Sequence, residues 1–376
     1  MKRFWWNLSG AFGDIGVFLP IAIALIGKNG FNPTALFVIA GLFYISSGAY
    51  FKITMPVQPL KAMAAIAIAT GLSTNVINTA GIIMGFILVL IAVTGFSVRL
   101  GNLFPISVVR GIQLGLGLML IKTSWEFIKL EPLIFLLTLL LLLSSLLLKG
   151  MPPLIPVLLL SVPVIFNRVT IQDTGPFALK VILPQIGDFW EAFTLLVLPQ
   201  LALSFGNAIV ATRVTAKDLY KEKASRVNLK SIPVSMGIAN IVSGLFGGVP
   251  MCHGSGGLTA HYKFGARDER AGYIIGIFFI IFGLLFGKSI LSIISVFPSG
   301  ILGTLLLYIG LQHSLFMRSI WHDRGATFIA LLTAITGFIL NNLTYGFLLG
   351  IATHYGYLFF SRYLKLNKSF NGGPYV

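Results

Sequence analysis

Apolar runs follow one another from residue 8 to residue 361, and no other feature limits the fold of this chain as strongly. The hydrocarbon core of a bilayer is ~30 Å thick and takes about 20 residues of helix to cross. Charged residues make up 10% of the 376 and apolar residues 56%, against about 25% charged in a soluble domain. So few charges cannot shield that much apolar surface from water, which excludes a soluble enzyme, a disordered chain and a secreted disulfide scaffold. Cys252 is the single cysteine, so no intrachain disulfide exists. The runs are continuous rather than alternating, which argues against a membrane β-barrel. The expected class is an all-α polytopic membrane protein.

Charge, Gly/Pro and Asn clusters divide the runs into about fourteen segments. In the first half they are 8–27, 32–51, 56–70, 76–97, 103–121, 131–148 and 152–167. In the second they are 189–211, 232–248, 251–263, 270–287, 290–312, 326–342 and 344–361. Segments 56–70 and 251–263 are too short to span as helices. With the N-terminus inside and fourteen crossings, 19 of the 27 Lys and Arg residues, Lys149 among them, fall in inner regions and 6 in outer ones. Lys61 and Arg110 lie within segments. That bias supports the division and puts both termini in the cytosol. The net charge of +16 is then assigned to basic loops facing anionic lipid rather than to nucleic acid. Met1-Lys2-Arg3 looks like the start of a signal peptide, but no small-residue cleavage site follows, so the first segment is read as a retained span.

An odd number of crossings per half makes the halves inverted repeats, with segments 3 and 10 as short half-helices. The domain reading is a first repeat over 1–167, an extracellular linker over 168–188, a second repeat over 189–362 and a short cytosolic tail over 363–376. Leu19-Pro20-Ile21-Ala22 and Leu198-Pro199-Gln200-Leu201 are faintly alike, as are the Ser-Gly pairs at 47–48 and 243–244 ahead of Pro56 and Pro250. Interrupted segments at matching positions of inverted halves are the best pointer to a transport site.

In Met55-Pro56-Val57-Gln58-Pro59-Leu60-Lys61 two prolines bracket Gln58, so an extended stretch should lead into a half-helix, with Pro59 suited to its first turn. Such a helix start inside the membrane offers free N–H groups and a positive dipole end to an anion. Lys61 lies one helical turn from Gln58 and is either functional or snorkelling. The matching stretch Val249-Pro250-Met251-Cys252-His253-Gly254-Ser255-Gly256-Gly257-Leu258 lets backbone amides approach a ligand closely. His253 is a candidate for substrate contact or proton coupling, or a neutral histidine bonded within the bundle. Cys252 and His253 alone do not make a metal site. Asp14 is the one acid inside a well-defined span, and is read as a proton carrier, a partner of Lys61 or a helix cap; the small residues around it suggest close helix packing or an unwound turn. Gln200, Ser204 and Asn207 share a helical face without a carboxylate, which suits an oxyanion or plain interhelical bonding. Arg110 either snorkels or neutralises Asp14.

Gly13-Asp14-Ile15-Gly16, the stretch Met55 to Ala62, and Pro250 to Leu258 followed by Tyr262-Lys263-Phe264-Gly265-Ala266 resemble the molybdate transporter family, a branch related to the sulfate permeases. The resemblance spans both halves. It implies the seven-plus-seven inverted fold shared with sulfate and nucleobase permeases. A core of segments 1–4 and 8–11 would carry substrate between segments 3 and 10, against a gate of segments 5–7 and 12–14. About fifteen residues follow residue 361, too few for the regulatory domain of typical sulfate permeases. The carboxylates that nucleobase permeases use in segments 8 and 10 are missing, and with Lys61 present this favours an anion.

The expected function is therefore proton-coupled uptake of molybdate, by alternating access, across the cytoplasmic membrane. Gln58, Lys61, Gln200, Asn207, His253, Gly254 and Ser255 would bind or support the oxyanion, and Asp14 and His253 are the proton candidates. No cofactor, metal or catalytic residue is expected. The partners are the oxyanion and the lipid bilayer, with a homodimer left open. A sulfate or nucleobase transporter and a passive anion channel are the alternatives. An intramembrane enzyme would need a paired nucleophile and base, which the segments lack.

Overall fold

A computed structural model describes residues 2–148, 152–171 and 173–370. Lys149 of the charge census, one residue of the 168–188 linker and the end of the tail lie outside the described residues. The chain is helical almost throughout. Helices α1 (Lys2–Ala11), α2 (Ile15–Asn29), α3 (Pro33–Phe51), α4 (Lys61–Thr70), α5 (Thr74–Val93), α6 (Phe96–Asn102), α7 (Ile106–Leu130), α8 (Pro132–Leu147) and α9 (Ile155–Arg168) form the first half. The second contains α10 (Ile186–Glu191), α11 (Leu198–Leu203), α12 (Thr212–Tyr220), α13 (Ser231–Leu245), α14 (Ser255–Lys263), α15 (Arg270–Phe286), α16 (Ile290–Ser295), α17 (Ser299–Ser314), α18 (Arg324–Ile339) and α19 (Leu343–Phe370). Two-residue strands β1 (Gln58–Pro59) and β2 (Met251–Cys252) precede α4 and α14.

Local chemistry sets several of these boundaries. Asn32 and Ser73 cap α3 and α5, their side chains accepting from the Ala35 and Val76 N–H groups. Gly30 and Gly71 end α2 and α4 in the left-handed conformation. Segment 1 is broken where the sequence reads as one span. The chain turns at Phe12-Gly13-Asp14, between α1 and α2, because α14 comes in there. A Cβ at Gly13 would sit 2.8 Å from the Ala260 carbonyl carbon. Proline and the bend at Phe297-Pro298 likewise separate α16 from α17. Two π-helical stretches, Ala192–Val197 and Ser204–Ala211, flank α11.

Six helical runs among the described residues are long and apolar enough to cross a membrane: Arg3–Asn29, Pro33–Phe51, Thr74–Val93, Ile106–Leu130, Arg270–Ser295 and Ser299–Ile320. The bent pair Ile186–Leu201 and Ser204–Ala224, at 45°, makes a seventh if it is one span. Four apolar helices, α8, α9, α13 and α18, are shorter, and the fourteen-segment division counts these too. The outer surface is greasy: Phe86, Leu133, Leu147, Phe166 and Ile339 are all more than 60% exposed. Only lipid accepts such a surface around a molecule whose interior is also apolar. This is a multi-pass membrane protein.

Three close helix pairs organise the interior, α3 with α15, α5 with α13, and α7 with α17. Each crosses glycine on glycine. A Cβ at Gly41 would fall 2.5 Å from the Gly276 carbonyl oxygen, one at Gly85 2.6 Å from that of Gly237, and one at Gly117 2.7 Å from that of Gly310. Small residues bring helix backbones together where no hydrophobic force between helices exists. Gly85→Leu should therefore destabilise the purified protein by about 1–3 kcal/mol, the overpacking range. Thermal melting in detergent measures it, and an unchanged transition would mean that α5 and α13 part without penalty.

Candidate functional site

The two proline-led stretches meet. β1 and β2 run antiparallel, with Gln58 opposite Cys252 and Pro59 opposite Met251, and the Leu60 N–H donates to the Pro250 carbonyl at 2.9 Å. Pro59 lies in the strand rather than in the first helical turn, and α4 begins only at Lys61. Gln58 and Lys61 therefore do not share a helical face. Their side chains converge from strand and helix, since a Cβ at Gly254 would lie 2.8 Å from Gln58 Oε1 and 3.6 Å from Lys61 Nζ. Asn240 holds the second strand by bonding both the N–H and the carbonyl of Met251, at 2.6 and 3.0 Å.

Both strands lead into short helices, so two helix starts lie beside one another. First-turn N–H groups have no acceptor within their own helix. The Met63 N–H goes to Gln200 Oε1 at 3.0 Å. Those of Ser255, Gly256 and Gly257 meet no acceptor among the described residues. Glycine is needed at 257, where a Cβ would fall 2.5 Å from Gln58 Nε2 and 3.1 Å from Asp14 Oδ2.

A cavity of about 520 Å³ lies at the α4 start, where Lys61 and Ala62 line it. Its walls are α2 (Val17, Ile21), α4 and Asn207 on one side, and α7 (Leu116, Met119) with Leu306 and Leu343 on the other. Lys61 is its one cationic lining residue. The Lys61 ammonium forms no hydrogen bond or ion pair among the described residues. Gln58 Oε1 is likewise buried without a partner. An uncompensated cation next to unsatisfied donors is unfavourable unless an anion joins them.

The remaining sequence candidates fall into two groups. Asn207 lines the cavity and its Oδ1 accepts from Ser255 Oγ at 2.7 Å. Gln200 supports α4 through Met63 and donates to Ser204 Oγ at 3.1 Å. A π turn beginning at Ser204 places Asn207 off the regular helical face on which the sequence puts it. His253 faces away from the cavity. Its Nδ1 is 2.8 Å from the Pro56 carbonyl, its Nε2 is 3.0 Å from Ser235 Oγ, and its ring packs on Phe43. Arg110 does not reach Asp14; it pairs with Asp218 at 2.8 Å and donates to Gln113 at 3.0 Å.

Asp14 stands at the N-terminus of α2 but does not cap it, and it makes no ion pair with Lys61 among the described residues. It is buried in a cluster. Tyr44 donates to it at 3.0 Å, Gln58 Nε2 at 3.3 Å, and His261 Nε2 lies 3.4 Å from Oδ1. His261 Nδ1 is 2.7 Å from the Gly10 carbonyl. A carbonyl only accepts, so Nδ1 carries a hydrogen. The contact between Nε2 and Asp14 then requires one further proton, held by the histidine or the carboxyl. Tyr44, His261 and His313 are missing from the sequence reading. Among the segments, Tyr44 and His261 lie 30 and 247 residues from Asp14, and no local pattern joins them.

The transmembrane domain of a cyanobacterium bicarbonate transporter, BicA, aligns with a TM-score of 0.58 at 17% identity, covering 93% of this chain and 98% of that one. SLC26A9 aligns with a TM-score of 0.64 at 13% identity, covering 96% and 66%. Likeness at those identities defines the fold, one used by membrane transporters. A family model described as "Molybdate transporter of MFS superfamily" matches residues 7–120 and 192–312. The chain belongs to that family, and is a transporter rather than an enzyme. Molybdate transporter 2 of Arabidopsis thaliana is 29% identical over 403 residues, covering 93% of this chain and 86% of that protein. Molybdate transporter 1 of Chlamydomonas reinhardtii is 25% identical over 471 residues, covering 92% and 90%.

Proposed function

We propose that this protein imports molybdate, a tetrahedral dianion, across the cell membrane by proton-coupled alternating access. The observation that carries the reading is the unpaired Lys61 ammonium at the cavity wall, beside the free helix-start amides of Ser255, Gly256 and Gly257. Lys61, Asn207 and the backbone at Gly254 and Ser255 contact the oxyanion, and Gln58 supports the site by donating its Nε2 to Asp14. Gln200 and His253 act from behind, by holding the Met63 N–H and the Pro56 carbonyl. Uncharged donors and a single cation attract a dianion, and the nearby Asp14 carboxyl is met by Tyr44, Gln58 and His261.

The transport cycle follows from the expected inverted repeats over 1–167 and 189–362, joined by the 168–188 linker. The pairs α3 with α15 and α5 with α13 exchange with one another if the halves are exchanged, and α7 with α17 maps onto itself. That pattern supports seven segments per half. The cavity lies where the core helices α2 and α4 meet the gate helices α7 and α17, the seam that alternating access would open. An inside-negative potential opposes dianion entry by about 2.3 kcal/mol per charge per 100 mV, and a proton carried with the anion offsets that. The proton belongs to the Asp14–His261 cluster, with His253 the second candidate.

The test is uptake of labelled molybdate into proteoliposomes with an imposed pH gradient and competing sulfate or uracil. Accumulation above equilibrium, driven by outside acid and little affected by uracil, is expected. Equilibration without accumulation would point to a passive channel, and stronger block by sulfate than by molybdate would reassign the substrate.

A further inference from the structure

We infer that His313, on α17 behind the cavity lining, orients the Asn207 amide toward the anion through Ser255, and so helps to select an oxyanion. The inference rests on the site proposed above. His313 is fully buried on α17. Its Nε2 lies 3.3 Å from Ser255 Oγ and its Nδ1 2.9 Å from Thr259 Oγ1. Ser255 Oγ in turn lies 2.7 Å from Asn207 Oδ1.

Counting protons fixes the direction of this chain. An amide oxygen only accepts, so the Ser255 hydroxyl proton goes to Asn207. Ser255 Oγ can then only accept from His313, which places a hydrogen on Nε2. A neutral ring with Nε2–H has a bare Nδ1, and the Thr259 hydroxyl, which also lies 3.0 Å from the Ser255 carbonyl, turns its one proton to Nδ1 and leaves that carbonyl to the N–H of the next helical turn. With its oxygen committed to Ser255, Asn207 keeps its NH2 group for the cavity, where no acceptor among the described residues takes it. The NH2 donors then stand on the same cavity wall as Lys61. The opposite tautomer reverses every step. A bare Nε2 draws the Ser255 proton, Asn207 turns to donate to Ser255, and its carbonyl oxygen meets the anion instead. His313 is thus a positioning residue. It also ties gate helix α17 to the first turn of α14, so the amide is set correctly only while the two are docked.

The experiment is molybdate affinity by calorimetry on purified wild type, His313→Ala, Ser255→Ala and the double variant, with melting temperature measured beside it. Each single variant should bind about tenfold more weakly, the loss of one net hydrogen bond, and the double variant no more weakly than either. His313→Gln places an amide donor near the Nε2 position and should restore affinity, whereas His313→Asn places it near Nδ1 and should not. These two variants serve as the test if His313→Ala does not fold. Unchanged affinity in His313→Ala, additive losses in the double variant, or equal behaviour of the Gln and Asn variants would overturn the relay. Wild-type protein that binds no tetrahedral oxyanion would instead overturn the proposed site, and the relay with it. Binding that Lys61→Ala weakens and His313→Ala leaves unchanged removes the relay alone.

Discussion

Replacing Lys61 by alanine is expected to weaken molybdate binding by at least tenfold, about 1.5 kcal/mol, the lower end for a hydrogen bond to a charged group. The ammonium has no protein partner to release, so its electrostatic attraction is available to the substrate in full. Removal also leaves the dianion facing only neutral donors: Asn207 and the helix-start amides. Stability should rise or stay level, because an unpaired cation is lost from an apolar wall. Lys61→Arg should also bind poorly, since a planar fork does not fit the space of a compact ammonium. Calorimetry with molybdate on the folded variants decides it. Unaltered affinity in Lys61→Ala would mean that the ammonium snorkels to water.

Asp14→Asn is expected to abolish pH-driven accumulation while exchange of molybdate across the membrane survives. The amide reproduces the protonated carboxyl, donating to His261 Nε2 and accepting from Tyr44, so the cluster keeps its shape but can no longer release a proton. His261→Gln should give the same phenotype, because one proton lies between the two side chains. Asp14→Ala is a different case. It strands the Tyr44 hydroxyl, the Gln58 amide and His261, all buried, at about 1–3 kcal/mol for each unsatisfied group, and should lower the yield of folded protein. Counterflow and gradient-driven uptake, measured side by side in liposomes, separate these outcomes. Full accumulation by Asp14→Asn would shift attention to His253→Gln.

Membrane residence was legible because it depends on bulk apolarity, which composition reports directly. The meeting of the two proline-led stretches was legible for a similar reason. Pro56 and Pro250 mark where extended chain precedes each half-helix, and glycines mark close backbone approach. Lys61, Asn207 and Ser255 were found as polar residues in apolar surroundings. The environment of Asp14 was not legible. Tyr44 and His261 look like ordinary members of their helices, and only tertiary packing brings them to the carboxylate. Arg110 shows the same limit, since charge alone suggested Asp14 as its partner, whereas the fold supplies Asp218 from α12. The turn at Gly13 was half legible, since the small residues around Asp14 allowed close packing or an unwound turn and both occur there against α14, whereas no local propensity marks the π turn at Ser204.

The ladder between β1 and β2 limits how the transporter can let go of its load. Jaws that are stitched together at the hinge cannot spread. Parting Gln58 from Cys252 would break the strand pairing and the Leu60 to Pro250 bond, and would strand those backbone groups away from water. The half-helices therefore travel as one rigid cradle. In the alternating access proposed above, unloading then comes from the opposite wall sliding past it, so a cross-link between the strands should be harmless to transport, whereas one between α4 and α7 should arrest it.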